Sequence, residues 1–267
     1  MVELLKANIL ADFAYYRRSR LLLAFLLVFL LLTGLSALPP LFTHSGFQSF
    51  NSLQQIYTTL NDYLLFFAGG LGLLIISSHL RSRNLKMVFT KPCSPMVWLA
   101  SAFLAAVTVS LLLNGIVLAS GIGLSFVWHL PVRGALLFIS LDTFIASVGI
   151  IAYLMLLAMV AHPAIAVTFA LIFNADLFYG GLTWAEAMIR SGNSSFGLRV
   201  MERLFQGLYY VLPMVYAYGS KTKDIYSRLR VEHGDWRYIL YSFGYVLTLS
   251  IFCYLVALFA LQRKKHI

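Results

Sequence analysis

Residues 96–127, MVWLASAFLAAVTVSLLLNGIVLASGIGLSFV, and residues 134–160, GALLFISLDTFIASVGIIAYLMLLAMV, are the two stretches that decide the fold of this chain. Each is longer than the roughly 20 apolar residues that a helix needs to cross the hydrocarbon core of a bilayer. A transmembrane barrel would instead show strands of roughly ten residues with alternating polarity. The two stretches therefore predict successive membrane-spanning helices joined by a short loop.

The composition of the whole chain leads to the same class. Of its 267 residues, 60% are hydrophobic and 11% are charged, and the mean hydropathy is +0.83. A water-soluble domain has about 25% charged and about 45–50% apolar residues, so this chain cannot be arranged around a single aqueous core. We therefore expect an all-α integral membrane protein, with no room for a soluble catalytic domain.

Six transmembrane helices are predicted in all. They cover about residues 21–38, 63–78, 96–127, 134–160, 163–182 and 238–261. The second is short and contains Gly69, Gly70 and Gly72, which favour close packing against another helix. The first has a longer apolar core than a signal peptide and follows a lead of 20 residues, so it is expected to be an uncleaved span.

The positions of Lys and Arg predict the orientation. With the N-terminus in the cytoplasm, the inner side receives Lys6, Arg17, Arg18, Arg20, Arg81, Arg83, Lys86, Lys91, Arg263, Lys264 and Lys265, and the outer short loops receive only Arg133. The long segment 183–237 holds the other basic residues, but long loops follow the positive-inside rule poorly. Both termini are thus expected in the cytoplasm. The net charge of +10 then reflects topology and contact with anionic membrane lipids, not nucleic acid.

Two segments outside the spans have amphipathic patterns. In residues 1–20 one helical face carries Val2, Leu5, Ile9, Phe13 and Tyr16, which predicts a helix in the inner interface, with a plain cytosolic leader as the alternative because Asp12 shares that face. In the outer segment 183–237 an apolar face opposes Arg199, Glu202, Arg203 and Gln206 and consists of Met201, Leu204, Phe205, Leu208 and Leu212. This second helix either packs on the spans from outside or forms a re-entrant cap over a pathway.

Catalytic and metal-binding motifs are missing from the sequence. It contains no GxxxxGK[ST] phosphate loop, no HExxH and no GxSxG, and its six histidines are scattered. Cys93 and Cys253 lie in a basic loop and in an apolar run, so neither a disulfide framework nor a CxxC metal site is available. We expect a protein that is not an enzyme and that holds neither a metal nor a cofactor of its own.

Polar residues inside the apolar runs are candidate functional residues, because an ionisable side chain in mid-bilayer is costly and needs a partner or water. They are Asn114, Asp142, Asn174 and Asp176. One interpretation is a hydrophilic seam that lines a translocation pathway or a proton relay. The other is hydrogen bonding between helices, with Asp142 held by a hydroxyl such as Thr143 or Ser147.

The inner loop 79–96 is the most informative segment outside the spans. It starts with a basic cluster, predicts a short helix over residues 84–90 and stops at Pro92. A loop that only binds headgroups would explain its charges but not Met87, Val88 and Phe89. The pattern favours a docking surface for a cytoplasmic partner, made of Arg81, Arg83, Leu85, Lys86, Met87, Phe89 and Lys91.

This loop resembles the segment of ABC-2-type transporter permeases in which a coupling helix precedes a Thr-Lys-Pro-x-Ser turn and the third span, here Thr90-Lys91-Pro92-Cys93-Ser94. The basic lead is similar to the family's elbow helix. LYYVLP at 208–213, DWRY at 235–238 and RKK at 263–265 resemble the NosY-like and Nat-type members. The chain departs from the family in Ser82-Arg83-Asn84, where Gly or Glu is frequent, and at Pro95, where Arg is frequent.

The resemblance implies a permease subunit with an elbow helix at 1–20, five spans over 21–182 with the coupling loop 79–96, an outer segment at 183–237, and a last span with a basic tail at 238–267. It also implies a second permease subunit, as a homodimer or heterodimer, and separate ATP-binding cassette subunits that bind ATP and Mg. The expected role is export across a bacterial plasma (inner) membrane. Two other classes stay open: an ion-coupled secondary transporter using Asp142 and Asp176, and a non-transporting membrane anchor for a cytoplasmic partner.

Overall fold

A computed structural model describes residues 2–18, 20–42, 50–79, 94–161, 165, 175–191, 195–211 and 231–264 of the chain. These residues contain α-helices and no β-strand. The helices are α1 (Val2–Arg18), α2 (Leu21–Phe42), α3 (Phe50–His79), α4 (Pro95–Val127), α5 (Gly134–Val160), α6 (Ala175–Arg190), α7 (Phe196–Val211) and α8 (His233–Lys264).

Three helices within the described ranges, α4, α5 and α8, are long and apolar enough to cross a membrane. They correspond to the third, fourth and sixth predicted spans, and α8 begins before the predicted residue 238. The helices α1 and α2 are bent by 56° at their junction and add a fourth candidate if they form one interrupted span. The secondary structure of the described residues is therefore all-helical, and its long apolar helices indicate a membrane protein. The first two predicted spans fall within α2 and α3, and most of the fifth lies outside the described residues.

The helices α3, α4 and α8 all pack against α5. Tyr57 meets Leu136 near the start of α3 and α5, and Gly72 meets Ile151 further along both helices, so these two helices run parallel. The Trp236 and Phe138 rings, 5.7 Å apart, place the start of α8 beside the start of α5. The end of the bundle that holds these starts is called the outer end, after the predicted orientation, and the opposite end the inner end.

Glycines bring α3 and α5 close together. A Cβ on Gly69 would lie 3.0 Å from Leu154 Cδ1, and one on Gly72 would lie 3.4 Å from the Cα of Ile151. Gly70, in contrast, has no such neighbour within 4 Å. The close helix packing predicted from these glycines is confirmed at two of the three positions.

Local capping sets the starts of α4 and α8. The Ser94 hydroxyl accepts a hydrogen bond from the Val97 N–H at 3.3 Å, and Pro95 follows as the first helical residue. At α8 the Glu232 N–H donates to Asp235 Oδ2 at 2.8 Å, an arrangement similar to a capping box. Because Asp235 supplies this cap, α8 begins at His233, ahead of the predicted span.

The predicted apolar face of α1 is buried against protein. Tyr16 is fully buried, Ile9 and Phe13 pack on the main core, and Asp12 is buried as well. The helix packs along α4, and the Tyr16 hydroxyl donates to the main-chain carbonyl of Leu71 in α3 at 3.1 Å. Lipid hydrocarbon offers no hydrogen-bond acceptor, so packing of this face against the bundle is what gives the Tyr16 hydroxyl its partner.

The helices α6 and α7 form a hairpin. The helix α7 coincides with the predicted outer amphipathic helix, and its Phe205 ring lies on α6, where a Cβ on Gly181 would come within 3.1 Å of it. The predicted boundary between residues 182 and 183 falls inside α6, which continues to Arg190. The Thr183 hydroxyl donates to the Gly180 carbonyl at 3.0 Å, so this polar residue does not interrupt the helix.

Candidate functional site

Some of the predicted site residues lie in the described parts of the chain, and others do not. The docking residues Arg81, Arg83, Leu85, Lys86, Met87, Phe89 and Lys91 lie outside the described residues, as does Asn174. Asp176 lies in α6, and its side chain is not among those described. The structure therefore places Asn114 and Asp142. It also places the end of α3 and the start of α4, which flank residues 80–93, called the predicted docking segment below.

Asn114 joins α4 to α5 through a two-way hydrogen bond with Ser140. Its Nδ2 donates to the Ser140 main-chain carbonyl at 3.0 Å, and the Ser140 hydroxyl donates to its Oδ1. Both side chains are buried. Since these bonds connect two transmembrane helices, Asn114 acts as an interhelical polar contact, one of the two roles that the sequence allowed.

Two further polar residues, both from α3, surround this contact. The fully buried Tyr57 donates its hydroxyl proton to the Leu136 carbonyl at 3.1 Å, and its hydroxyl also lies beside Ser140. One turn further along α3, Asn61 Nδ2 donates to the Tyr57 carbonyl at 2.7 Å. We call Tyr57, Asn61, Asn114 and Ser140 the polar layer. The polar layer joins α3, α4 and α5 by hydrogen bonds at one level of the bundle.

The sequence interpretation missed Tyr57 and Asn61 because it started the second span at residue 63. The signal was present in the spacing of one helical face. The positions 53, 57, 60, 64, 68 and 71 recur at intervals of three and four residues, and all six side chains are almost completely buried. This periodicity extends the helix outward beyond the apolar run and includes Tyr57 on its buried face.

Asp142 is a buried carboxylate within α5. Its side chain is 3% exposed, and it lies eight residues, about 12 Å, from the start of the helix at Gly134. Thr143 and Ser147 are on the same helix, and the Ser147 hydroxyl donates to the Thr143 carbonyl at 2.8 Å. Because Ser140 and Asp142 are separated by about 200° around α5, Asp142 does not share the helix face that carries Ser140.

The inner ends of α3 and α4 flank the predicted docking segment, and each is tied to another helix. Tyr16 of α1 donates to Leu71 of α3, and Tyr254 of α8 donates to the Met96 carbonyl of α4 at 2.7 Å. Tyr16 shares one core cluster with Leu71, Ala257 and Leu261. The sequence pattern gave no indication of the Tyr254 contact, because its partner lies 158 residues away.

A small apolar cavity of about 90 Å³ lies between α4, α5 and α8. Its lining is aromatic and aliphatic apart from one hydroxyl and consists of Phe103, Phe144, Ile145, Val148, Phe243, Val246, Leu247 and Ser250. Among the described residues, no group of three or more His, Cys, Asp or Glu side chains could hold a metal ion. The described part of the chain thus offers polar and apolar helix contacts, with Asp142 as a buried carboxylate within α5.

Comparisons with known proteins give no match: no protein-family model fits the chain, and no curated protein or solved structure is significantly similar to it. The ABC-2 resemblance accordingly depends on the sequence features of the loop, the lead and the last span. The fold and the helix ends around the loop are the structural observations to which a functional proposal can be tied.

Proposed function

We propose that the chain is the transmembrane permease subunit of an ABC-2-type transporter that exports its substrate across a bacterial plasma membrane. ATP and Mg bind to separate ATP-binding cassette subunits. The observation that supports this proposal is the geometry around residues 80–93. The helix α3 ends at His79, and α4 begins directly after Ser94, which is the last residue of the Thr-Lys-Pro-x-Ser turn and caps α4.

The mechanism we propose is mechanical. Closure of the ATP-binding subunits pushes on the coupling helix at residues 85–90, where Leu85 and Phe89 share one helical face and fill a partner groove. The cations Arg81, Arg83, Lys86 and Lys91 add charge complementarity. Since the segment continues into α3 and α4, the push reaches α5 through the polar layer and the Gly69 and Gly72 contacts. Tilting of these helices then switches access across the membrane.

The distribution of exposed charge agrees with cytoplasmic termini. The exposed basic residues near the two ends of the chain include Lys6, Arg17, Arg18 and Arg20, in and just after α1, and Arg263 in α8. The contacts of Tyr16 and Tyr254 place α1 and the end of α8 beside the inner ends of α3 and α4. An excess of Lys and Arg next to membrane helices favours the cytoplasmic side and anionic headgroups. A second permease subunit, identical or different, completes the transporter.

The proposal is tested by purifying the tagged chain from its native membrane. We expect a Walker-motif ATPase to copurify, and the double substitution Lys86→Ala with Phe89→Ala to weaken that association and uncouple transport. A matched control is Arg203→Ala with Phe196→Ala, which removes one cation and one exposed phenylalanine from α7, in the segment predicted on the outer side. Equal ATPase recovery with both double variants, or none with the unchanged protein, contradicts the proposal.

A second candidate function is ion-coupled secondary transport, and the burial of Asp142 within α5 favours it. The energy source separates the two functions. In everted vesicles, transport that requires ATP and is unchanged by Asp142→Asn supports the permease function. Flux that follows an imposed proton or sodium gradient and is lost in Asp142→Asn supports the secondary transporter. An ATPase that copurifies without any ATP-driven flux indicates a membrane anchor.

A further inference from the structure

Two tyrosines from opposite ends of the chain bond to α3 and α4, the two helices that flank residues 80–93. Tyr16, in the first helix, donates to the Leu71 carbonyl of α3 at 3.1 Å. Tyr254, in the last helix, donates to the Met96 carbonyl of α4 at 2.7 Å. Each bond thus joins a helix at one terminus of the chain to one of the two helices that residues 80–93 connect.

The two acceptor carbonyls lie on the helices that residues 80–93 connect, so these bonds can transmit a displacement of that segment. Met96 is the second residue of α4, directly after the docking segment, and Leu71 lies eight residues, about 12 Å, before the end of α3. Tyr16, Leu71, Leu99, Ala257 and Leu261 are all fully buried, and α4 packs against α1, α3 and α8. Close-packed interiors transmit displacement with little compression. The inner ends of α1, α3, α4 and α8 therefore form one connected unit.

The helix α8 extends this unit to the other membrane surface. Its Tyr254 is bound at the inner end, whereas its Trp236 contacts Phe138 of α5 at the outer end. A displacement of α4 that α8 follows is thus carried along the whole length of the bundle. Apolar contacts between α4 and α8 are non-directional and can slide, whereas the Tyr254 bond fixes one helix at a defined position on the other.

We propose that Tyr16 and Tyr254 are positioning residues that make α1 and α8 follow α3 and α4 when residues 80–93 are displaced. This inference rests on the proposed permease function, because it assumes that nucleotide-driven closure of the ATPase subunits moves the docking segment. The hydroxyl groups contribute by holding main-chain carbonyls at fixed positions. Phenylalanine at either position keeps the ring and the packing but loses the bond.

The test compares four single substitutions in the complex purified with its ATPase. Tyr16→Phe and Tyr254→Phe remove the two bonds. Tyr15→Phe and Tyr241→Phe are matched controls on the same helices, where the side chains are 40% and 75% exposed. Spin-label pairs at Leu137 and Leu240, and at Leu10 and Leu137, report the positions of α8 and of α1 relative to α5. All variants also carry Cys93→Ser and Cys253→Ala, so that only the introduced cysteines are labelled. Distances are measured by pulsed electron paramagnetic resonance without nucleotide and after trapping with MgATP and vanadate.

We expect trapping to shift both distances in the unchanged protein and in both controls. In Tyr254→Phe the ratio of shifted to unshifted populations for the α8 pair, and in Tyr16→Phe that for the α1 pair, should fall about five-fold, the effect of losing one ordinary hydrogen bond. The bound vanadate and the unfolding temperature should stay close to those of the controls, which separates lost coupling from misfolding. Tyr254 is only partly buried, so its variant decides the test if Tyr16→Phe does not fold.

The outcomes distinguish this inference from the function on which it rests. If trapping shifts the distance of the α8 pair in the unchanged protein and equally in Tyr254→Phe, the inference is wrong while the permease function stands. If no ATPase accompanies the unchanged protein, or trapping moves nothing in it, the proposed function fails and the inference falls with it. A reduced shift in Tyr241→Phe comparable to that in Tyr254→Phe also contradicts the inference.

Discussion

The ring of Tyr57 occupies the space beside the backbone of Gly121. A Cβ on Gly121 would lie 2.6 Å from Cε2 and 2.8 Å from Cδ2 of Tyr57, closer than real Cβ contacts come. The same tyrosine crosses to α5 and donates to the Leu136 carbonyl at 3.1 Å. The glycine in α4 therefore gives the α3 side chain room to reach α5, and the contact of these three helices depends on it.

Replacing Gly121 with alanine should destabilise the protein, because the buried Tyr57 ring must move and its hydrogen bond to Leu136 lengthens or breaks. Overpacking of this kind costs about 1–3 kcal/mol. The free energy of unfolding in detergent, measured by intrinsic fluorescence, gives the value. Gly115→Ala is the matched control in the same helix, since its Cβ would meet nothing within 4 Å. Alanine there should leave stability unchanged or slightly higher, and equal losses at both positions would contradict the assigned packing.

The substitution Tyr57→Phe should cost about 0.5–1.5 kcal/mol of unfolding free energy by removing the bond to Leu136. If Gly121→Ala already displaces the ring, Tyr57→Phe should cost less in that background than in the unchanged protein. The double-mutant cycle measures this difference as a coupling energy. Strictly additive effects would show that the ring and the glycine act independently and that the bond survives in Gly121→Ala.

The contact between Asn114 and Ser140 should also show coupling. Either Asn114→Ala or Ser140→Ala removes the bond between the Ser140 hydroxyl and Asn114 Oδ1, so Ser140→Ala should cost little once Asn114→Ala is present. In the Ser140→Ala background, Asn114→Ala still breaks the bond from Nδ2 to the main-chain carbonyl of residue 140. Polar contacts between membrane helices have coupling energies of about 0.6 kcal/mol on average. Unfolding free energies of the two single variants and the double variant give this value. A coupling energy indistinguishable from zero would argue that the two residues are not joined in the membrane.

The sequence predicted helices best where hydrophobicity alone decides them. Residues 134–160 were predicted as a span, and α5 has the same bounds, because nearly every side chain in it is apolar and a short loop precedes it. The outer half of α3 was missed since Asn51, Gln54, Asn61 and Asp62 lower its hydropathy. Buried residues on this part of α3 still recur every three or four positions. This spacing indicates burial in a bundle even where the mean hydropathy of the segment is low.

The polar layer could be predicted only in part. Asn114 is conspicuous as an amide in an apolar run, but Ser140 is an ordinary residue in a membrane helix, and their pairing depends on how α4 and α5 pack. The same holds for α1, whose apolar face was predicted correctly while its contact with α4 was not. A periodic pattern indicates which side of a helix is covered, and it carries no information on what covers it.

The loop between α4 and α5 contains a residue under backbone strain. His129 has φ of 53°, in the left-handed region, which costs a residue with a Cβ about 1–2 kcal/mol. His129→Gly should relieve part of this cost and raise the free energy of unfolding by about 0.5–1 kcal/mol, after the entropy that glycine adds to the unfolded chain. Val132→Gly, in the same loop but without positive φ, should lower stability instead. Thermal unfolding compares the two, and a loss with both glycines would contradict the strained geometry.

The three glycines in α3 should respond differently to leucine because they face different neighbours. At Gly72 the neighbour is the backbone of Ile151, which cannot rotate away, so Gly72→Leu must push α3 off α5. At Gly69 the nearest atom is the end of the Leu154 side chain, 3.0 Å from the Cβ position, and a change of rotamer can relieve part of the clash. At Gly70 nothing lies within 4 Å.

Gly70→Leu should therefore change the unfolding free energy least of the three, because a Cβ at this position meets no other atom within 4 Å. Gly69→Leu should cost more, and Gly72→Leu should cost the most, at about 3 kcal/mol or above, because a displaced helix loses its whole packed interface. Urea or heat unfolding of the three variants in the same detergent gives the order. A larger loss at Gly70 than at Gly72 would mean that α3 presents a different face to α5, and the parallel packing of these two helices would have to be abandoned.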